Sequence, residues 1–106
     1  MTNLKKADKA AKDAKTHARD TVAAAAKVLK AKKKGEAQRP IQDAKQARIK
    51  ARNAAGTARE AANDAEKAGE ADANKVKDRA KTAEDLADKA DEAVATAERF
   101  VGALPD

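Results

Sequence analysis

Alanine recurs at alternating steps of three and four along nearly the whole chain. No other feature limits so strongly what the chain can fold into. Leu4, Ala7, Ala11, Ala14, Ala18, Thr21, Ala25 and Val28 form one such series. Ala44, Ala47, Ala51, Ala54, Ala58, Ala61, Ala65 and Ala68 form a second. Ala73, Val76, Ala80, Ala83, Ala87, Ala90, Val94, Ala97, Val101 and Leu104 form a third. These steps average 3.5 residues, the spacing that keeps one stripe of a helix against a neighbouring helix. The third series is the most informative, because its larger residues fall in register. Alanine fills 31 of the 106 positions and only 13 residues are larger apolar ones. A core filled in the usual way with leucine is therefore excluded, and the helices must lie close together instead.

Glycine and proline divide the chain. Gly35, Gly69 and Gly102 are nearly evenly spaced and each suits a helix end. Lys32, Lys33 and Lys34 precede Gly35 and would complement the negative end of a helix dipole. Pro40 suits a first helical position, and Pro105 suits a place beyond the last stop. This punctuation predicts helices over 3–34, 40–68 and 72–102 in a single domain, 1–106. Gly56 falls where the alanine series runs on in phase from Ala54 to Ala58. Thr57 and Glu60 have the spacing of a capping box, but the phase predicts one continuous helix, weakened by roughly 1 kcal/mol.

Short loops between long helices favour antiparallel neighbours, so the expected fold is an all-α, up-down-up three-helix bundle. In that arrangement Val28, Leu29, Ile41, Ile49, Val94, Phe100, Val101 and Leu104 converge on one pole. The opposite pole is nearly all alanine, with Leu4 and Val76. Burying alanine instead of leucine forfeits roughly 1–2 kcal/mol per seam position. Helix propensity and exposed pairs such as Asp8–Lys12 and Asp85–Lys89 offset part of that.

Net charge is +6, distributed unevenly. Residues 1–34 carry +8, residues 35–70 carry +1 and residues 71–106 carry −3. The basic first helix is expected to lie beside the acidic third. Lys27, Lys30, Lys32, Lys33 and Lys34 make a basic patch able to touch phosphates. With Phe100 as the one aromatic, such binding to nucleic acid would be weak, salt-sensitive and blind to sequence. An anionic membrane surface is a similar partner, although an alanine stripe gains little by insertion.

Catalytic and cofactor chemistry has little to stand on. There is no cysteine, so there is neither a disulfide nor a thiolate metal site. His17 is the one imidazole, flanked by Asp13 and Asp20, without a second element to complete a triad. No Glu-x-x-His, histidine pair or glycine-rich phosphate loop occurs. Glu84, Asp85, Asp88, Asp91 and Glu92 lie along one helix, which does not fold their oxygens around a single cation. No catalytic, cofactor or metal residue is assigned, and no small-molecule substrate is expected. No stretch reads as a signal peptide or a membrane span, which predicts a soluble, cytoplasmic protein.

The composition resembles that of the group 3 late embryogenesis abundant proteins. Ala10–Lys15 (AAKDAK) and Lys81–Ala93 (KTAEDLADKADEA) are similar to their amphipathic repeats. That resemblance implies a stress protectant, disordered in water and helical on drying or at membranes. The family's strict 11-residue repeat is not evident, and a heptad seam stands in its place. In length and plan the chain is also similar to a spectrin-type repeat, without that family's core tryptophan. Regular glycine stops and near-equal segments suit a designed bundle. Asn53, Asn63, Asn74, Asp78 and Asp88 inside helices do not. The reading that fits most of these features is a non-enzymatic structural or interaction bundle. It would engage a protein partner or a second copy through charged faces or the apolar pole.

Overall fold

Three long helices follow from the three alanine series. A computed structural model describes all residues, Met1–Asp106. Helix α1 spans Asn3–Val28, α2 spans Lys34–Lys67 and α3 spans Ala73–Gly102. Side chains shared between helices fix their directions. Arg52, Arg59 and Glu66 of α2 meet Asp88, Glu84 and Lys77 of α3, numbers that fall on one helix as they rise on the other. Asp8 of α1 meets Arg79 of α3, and Asn3 at the start of α1 meets Glu70 in the α2–α3 turn. The bundle therefore runs up, down, up, with α1 and α3 parallel.

A heptad of fully enclosed residues runs down each helix. Ala7, Ala14, Thr21 and Val28 are 0% exposed in α1, and so are Ala37, Ala44, Ala51, Ala58 and Ala65 in α2. Val76, Ala83 and Ala90 do the same in α3, joined by Ala80, Ala87 and Val94. In α2 the expected series keeps Ala58, Ala61 and Ala65 buried beyond Ala51, but widens by one place. Ala55 and Ala62 are buried, while Ala54 is half-buried and Ala68 exposed. A helix of 3.6 residues per turn drifts about 20° per heptad against a 3.5 repeat, which brings the adjacent alanines onto the inner face. The one polar side chain in the core, Thr21, donates its hydroxyl proton to the His17 carbonyl at 2.7 Å. No polar side-chain atom is buried without a partner.

Small side chains make a thin rod. The Cα trace measures 56 × 19 × 13 Å, with a radius of gyration of 16.4 Å. A compact domain of this length would have about 13 Å.

The helix ends depart from the glycine-based expectation at one turn and follow it at another. Helix α1 stops at Val28, well before residue 34, and α2 starts at Lys34, well before Pro40. Stopping there lets residues 29–33 carry the chain across and bury Ala31 and Ala37 beside Val28 and Ile41. Gly35 consequently lies in the first turn of α2, not past the end of α1. Glu36 favours a helix start there by its charge and by accepting from the Lys32 backbone N–H at 3.3 Å. Pro40 then sits inside α2, where a proline in a full helical environment costs about 3 kcal/mol. At the other turn, Gly69 takes φ +66°, its N–H bonds the Glu66 carbonyl at 3.1 Å, and the Glu70 N–H bonds the Ala65 carbonyl at 3.0 Å. That paired arrangement is the Schellman ending expected of Gly69. Helix α2 is unbroken at Gly56, and the Thr57 hydroxyl bonds back to the Asn53 carbonyl at 3.2 Å instead of capping a new helix.

No helix is long and apolar enough to cross a membrane.

Candidate interaction surface

The apolar pole forms, with fewer members than expected. Val28 and Ile41 cluster with Ala25, Ala31, Ala37 and Ala97, and half-buried Phe100, Val101 and Leu104 pack against them. Val94 is fully buried. Leu29 and Ile49 are not enclosed, being 47% and 54% exposed. Each stands off its helix seam. Leu29 is one residue, about 100°, past Val28, and Ile49 lies two residues, about 200°, from both Ala47 and Ala51. The chain end braces this pole, because the Pro105 carbonyl accepts from the Lys34 backbone N–H at 3.0 Å and Asp106 lies 3.5 Å from the Lys34 ammonium.

The basic α1 lies beside the acidic α3 as expected, but the two helices share only one ion pair. Three carboxylates of α3, those of Glu84, Asp88 and Asp91, turn to α2. Arg52 bonds Asp88 at 2.9 Å and also Asp91, while Arg59 grips Glu84 with Nε at 3.2 Å and Nη2 at 2.5 Å. A guanidinium presents a fork that fits carboxylates in this way. Hydrogen bonds to Asp88 and then Asp91 hold the Arg52 pKa above its ordinary value, against a smaller opposing effect of burial. The bond to Glu84 does the same for Arg59. Between α1 and α3 the single ion pair has the opposite polarity, with the acid Asp8 on α1 and the base Arg79 on α3, 2.6 Å apart. The local pairs differ too. Asp8 and Asp85 do not hold Lys12 and Lys89, and Lys9–Asp13 and Lys81–Asp85 form instead.

These pairings leave α1 with free positive charge. Of its cations only Lys9 is in an ion pair. Lys5, Lys6, Lys12, Lys15, Arg19 and Lys27 are exposed and unpaired. In the basic patch Lys27, Lys30, Lys32 and Lys33 are exposed, whereas Lys34 is drawn toward Asp106. His17 is half-buried at a shallow α1–α2 groove that Asp20 and Asp43 also line. No three His, Asp or Glu side chains converge as they would around a metal ion.

One surface feature escaped the reading of the sequence. Val22 of α1 is 51% exposed and Leu86 of α3 is half-buried, and together they line a groove between the two parallel helices. The signal was present in the spacing. Val22 follows Thr21 in the seam and Leu86 precedes Ala87, so each is a large apolar residue one place outside a buried position. Comparison with known protein families, with curated proteins and with solved structures finds no match to this chain.

Proposed function

We propose that the protein is a folded, non-enzymatic interaction module that engages an acidic partner through the positively charged side of α1. One observation carries this reading. Of the cations of α1 only Lys9 is in an ion pair, and Glu84, Asp88 and Asp91 of α3 are held by Arg59 and Arg52 of α2, so the surplus charge of α1 faces solvent. Such a field raises the encounter rate and affinity for an anionic surface and weakens as salt screens it. The supports are rigid helices whose own stability rests on the alanine seams, which leaves α1's outer face free to vary its contacts.

Fluorescence anisotropy with labelled polyglutamate tests the proposal. The expected result is saturable binding whose affinity falls at least about tenfold between low and physiological salt. Lys5, Lys6, Lys12, Lys15 and Arg19 changed together to Gln should remove it. Absence of binding at low salt, or binding that survives those changes, overturns the reading.

The exposed lysines Lys27, Lys30, Lys32 and Lys33 favour a second reading, contact with a phosphate polyanion at the α1–α2 turn. Preference for a random-sequence duplex over polyglutamate at equal salt, lost when these four lysines become Gln, would place that reading first.

A further inference from the structure

The α1–α3 groove differs from the other surfaces of the rod. It encloses about 390 Å³ and its floor is Ala18, Val22 and Leu86. Every ionisable side chain lining it, Lys15, Arg19 and Lys89, is a cation, and none of the three is in an ion pair. The groove continues toward the other pole past Ala11 and Lys12, as far as the closed pair Asp8–Arg79. By contrast the two α1–α2 grooves mix Lys6 and Lys9 with Asp13, Glu60 and Asp64, or Lys27 and Lys50 with Asp20 and Asp43.

An apolar floor between Lys15 and Arg19 on the α1 rim and Lys89 on the α3 rim selects its occupant. From Lys12 to Val22 is about 15 Å of helix, or three turns, the length over which a partner helix presents residues at i, i+3/i+4 and i+7. Two parallel helices with an open seam are completed by a further helix, as in a four-helix bundle. The cations on both rims demand carboxylates on both flanks of that helix's apolar stripe. A bilayer would need a broad apolar face, and here Val22 and Leu86 are the only large apolar residues. Single-stranded nucleic acid would need aromatic side chains to stack on, and none lines the groove.

We infer that the α1–α3 groove, with Val22 and Leu86 as its floor and Lys15, Arg19 and Lys89 as its rims, binds an acidic amphipathic helix. This rests on the interaction reading above and specifies its site and partner.

The probe is an 18-residue synthetic peptide with leucines at helical spacing flanked by glutamates, beside a scrambled peptide of identical composition. Titration followed by amide chemical shifts should move residues 12–22 and 82–89 and leave residues 41–50 of α2 unmoved. The patterned peptide should bind about tenfold more tightly than the scrambled one, and Val22→Asn with Leu86→Asn should erase that difference. Lys89→Glu, a change at an exposed site, should weaken the patterned peptide severalfold even if the apolar variants fold poorly. Equal binding of both peptides, or shifts spread over α1 alone, would overturn the groove while leaving charge-driven interaction intact. Failure of both peptides and of polyglutamate would overturn both readings. Loss of vesicle binding in Val22→Asn, with phosphatidylserine vesicles preferred over the patterned peptide, would replace the protein helix with a membrane.

Discussion

Two glycines of this chain have opposite roles, and a single added methyl group distinguishes them. At Gly56 a β-carbon would meet nothing within 4 Å and the backbone is helical. Gly56→Ala should therefore stabilise the protein by about 1 kcal/mol, read as a higher denaturant midpoint at unchanged slope. At Gly69 space is equally open, but φ is +66°. Gly69→Ala should cost about 1–2 kcal/mol in the same measurement. Both glycines were legible in the sequence, one from the phase of the alanines and the other from its place after them. Gly35 and Pro40 misled for an instructive reason. Local rules put glycine after a helix and proline at its start, whereas burial of Ala37 beside Val28 and Ile41 set the actual boundary. Tertiary packing outweighed the preferences of two residues.

At the scale of the helix, the enclosed heptads make alanine size itself the constraint. Ala51 is 0% exposed in the middle of α2. Ala51→Leu should destabilise by about 1–3 kcal/mol through overpacking, although leucine is a good helix former. Ile49→Ala, two residues away and facing solvent, should stay within about 0.5 kcal/mol. A thermal melt that ranks the two in the reverse order would refute the seam as described. Helix pairing also depends on the arginines of α2. Their folded-state pKa values are raised, so the stability they contribute is fully present below the ordinary arginine value and is lost only as pH climbs through the raised one. Arg52→Gln should accordingly cost about 0.5–1 kcal/mol, and the deficit should be the same at about pH 7 and about pH 10. A deficit that vanishes by the higher pH would assign the effect to another base. The sequence showed which helices would form and which faces they would bury. It did not show which helix each charge would face, because a series of alanines fixes the inner stripe and says little about the rotation of the charged flanks.

For the whole molecule, the balance is a long rod with an apolar cluster at one end and alanine contacts along the rest. Such a chain should give a strongly helical circular dichroism signal in plain buffer and a melt whose midpoint is independent of concentration. A midpoint that rises over a tenfold concentration increase would show that the helices complete themselves between copies. A coil spectrum would favour the protectant suggested by composition. The candidate site was legible only in part. Excess positive charge in the first third was visible from counting, and the parallel course of α1 and α3 followed from the up-down-up plan, but the Val22–Leu86 floor required knowing how far one helix is displaced along the other.

The odd number of helices places the start of α1 and the end of α3 at opposite ends of a 56 Å axis. A pulling force between those two points acts along the helices and drives them to slide, since no hairpin lies in line to peel open. Sliding would part the buried alanine seams together with the cross-braces of Arg52 and Arg59 on α3, of Arg79 on Asp8, and the tie between Pro105 and Lys34. Extension between those two points would therefore have to shear the seams together and could not open them one after another.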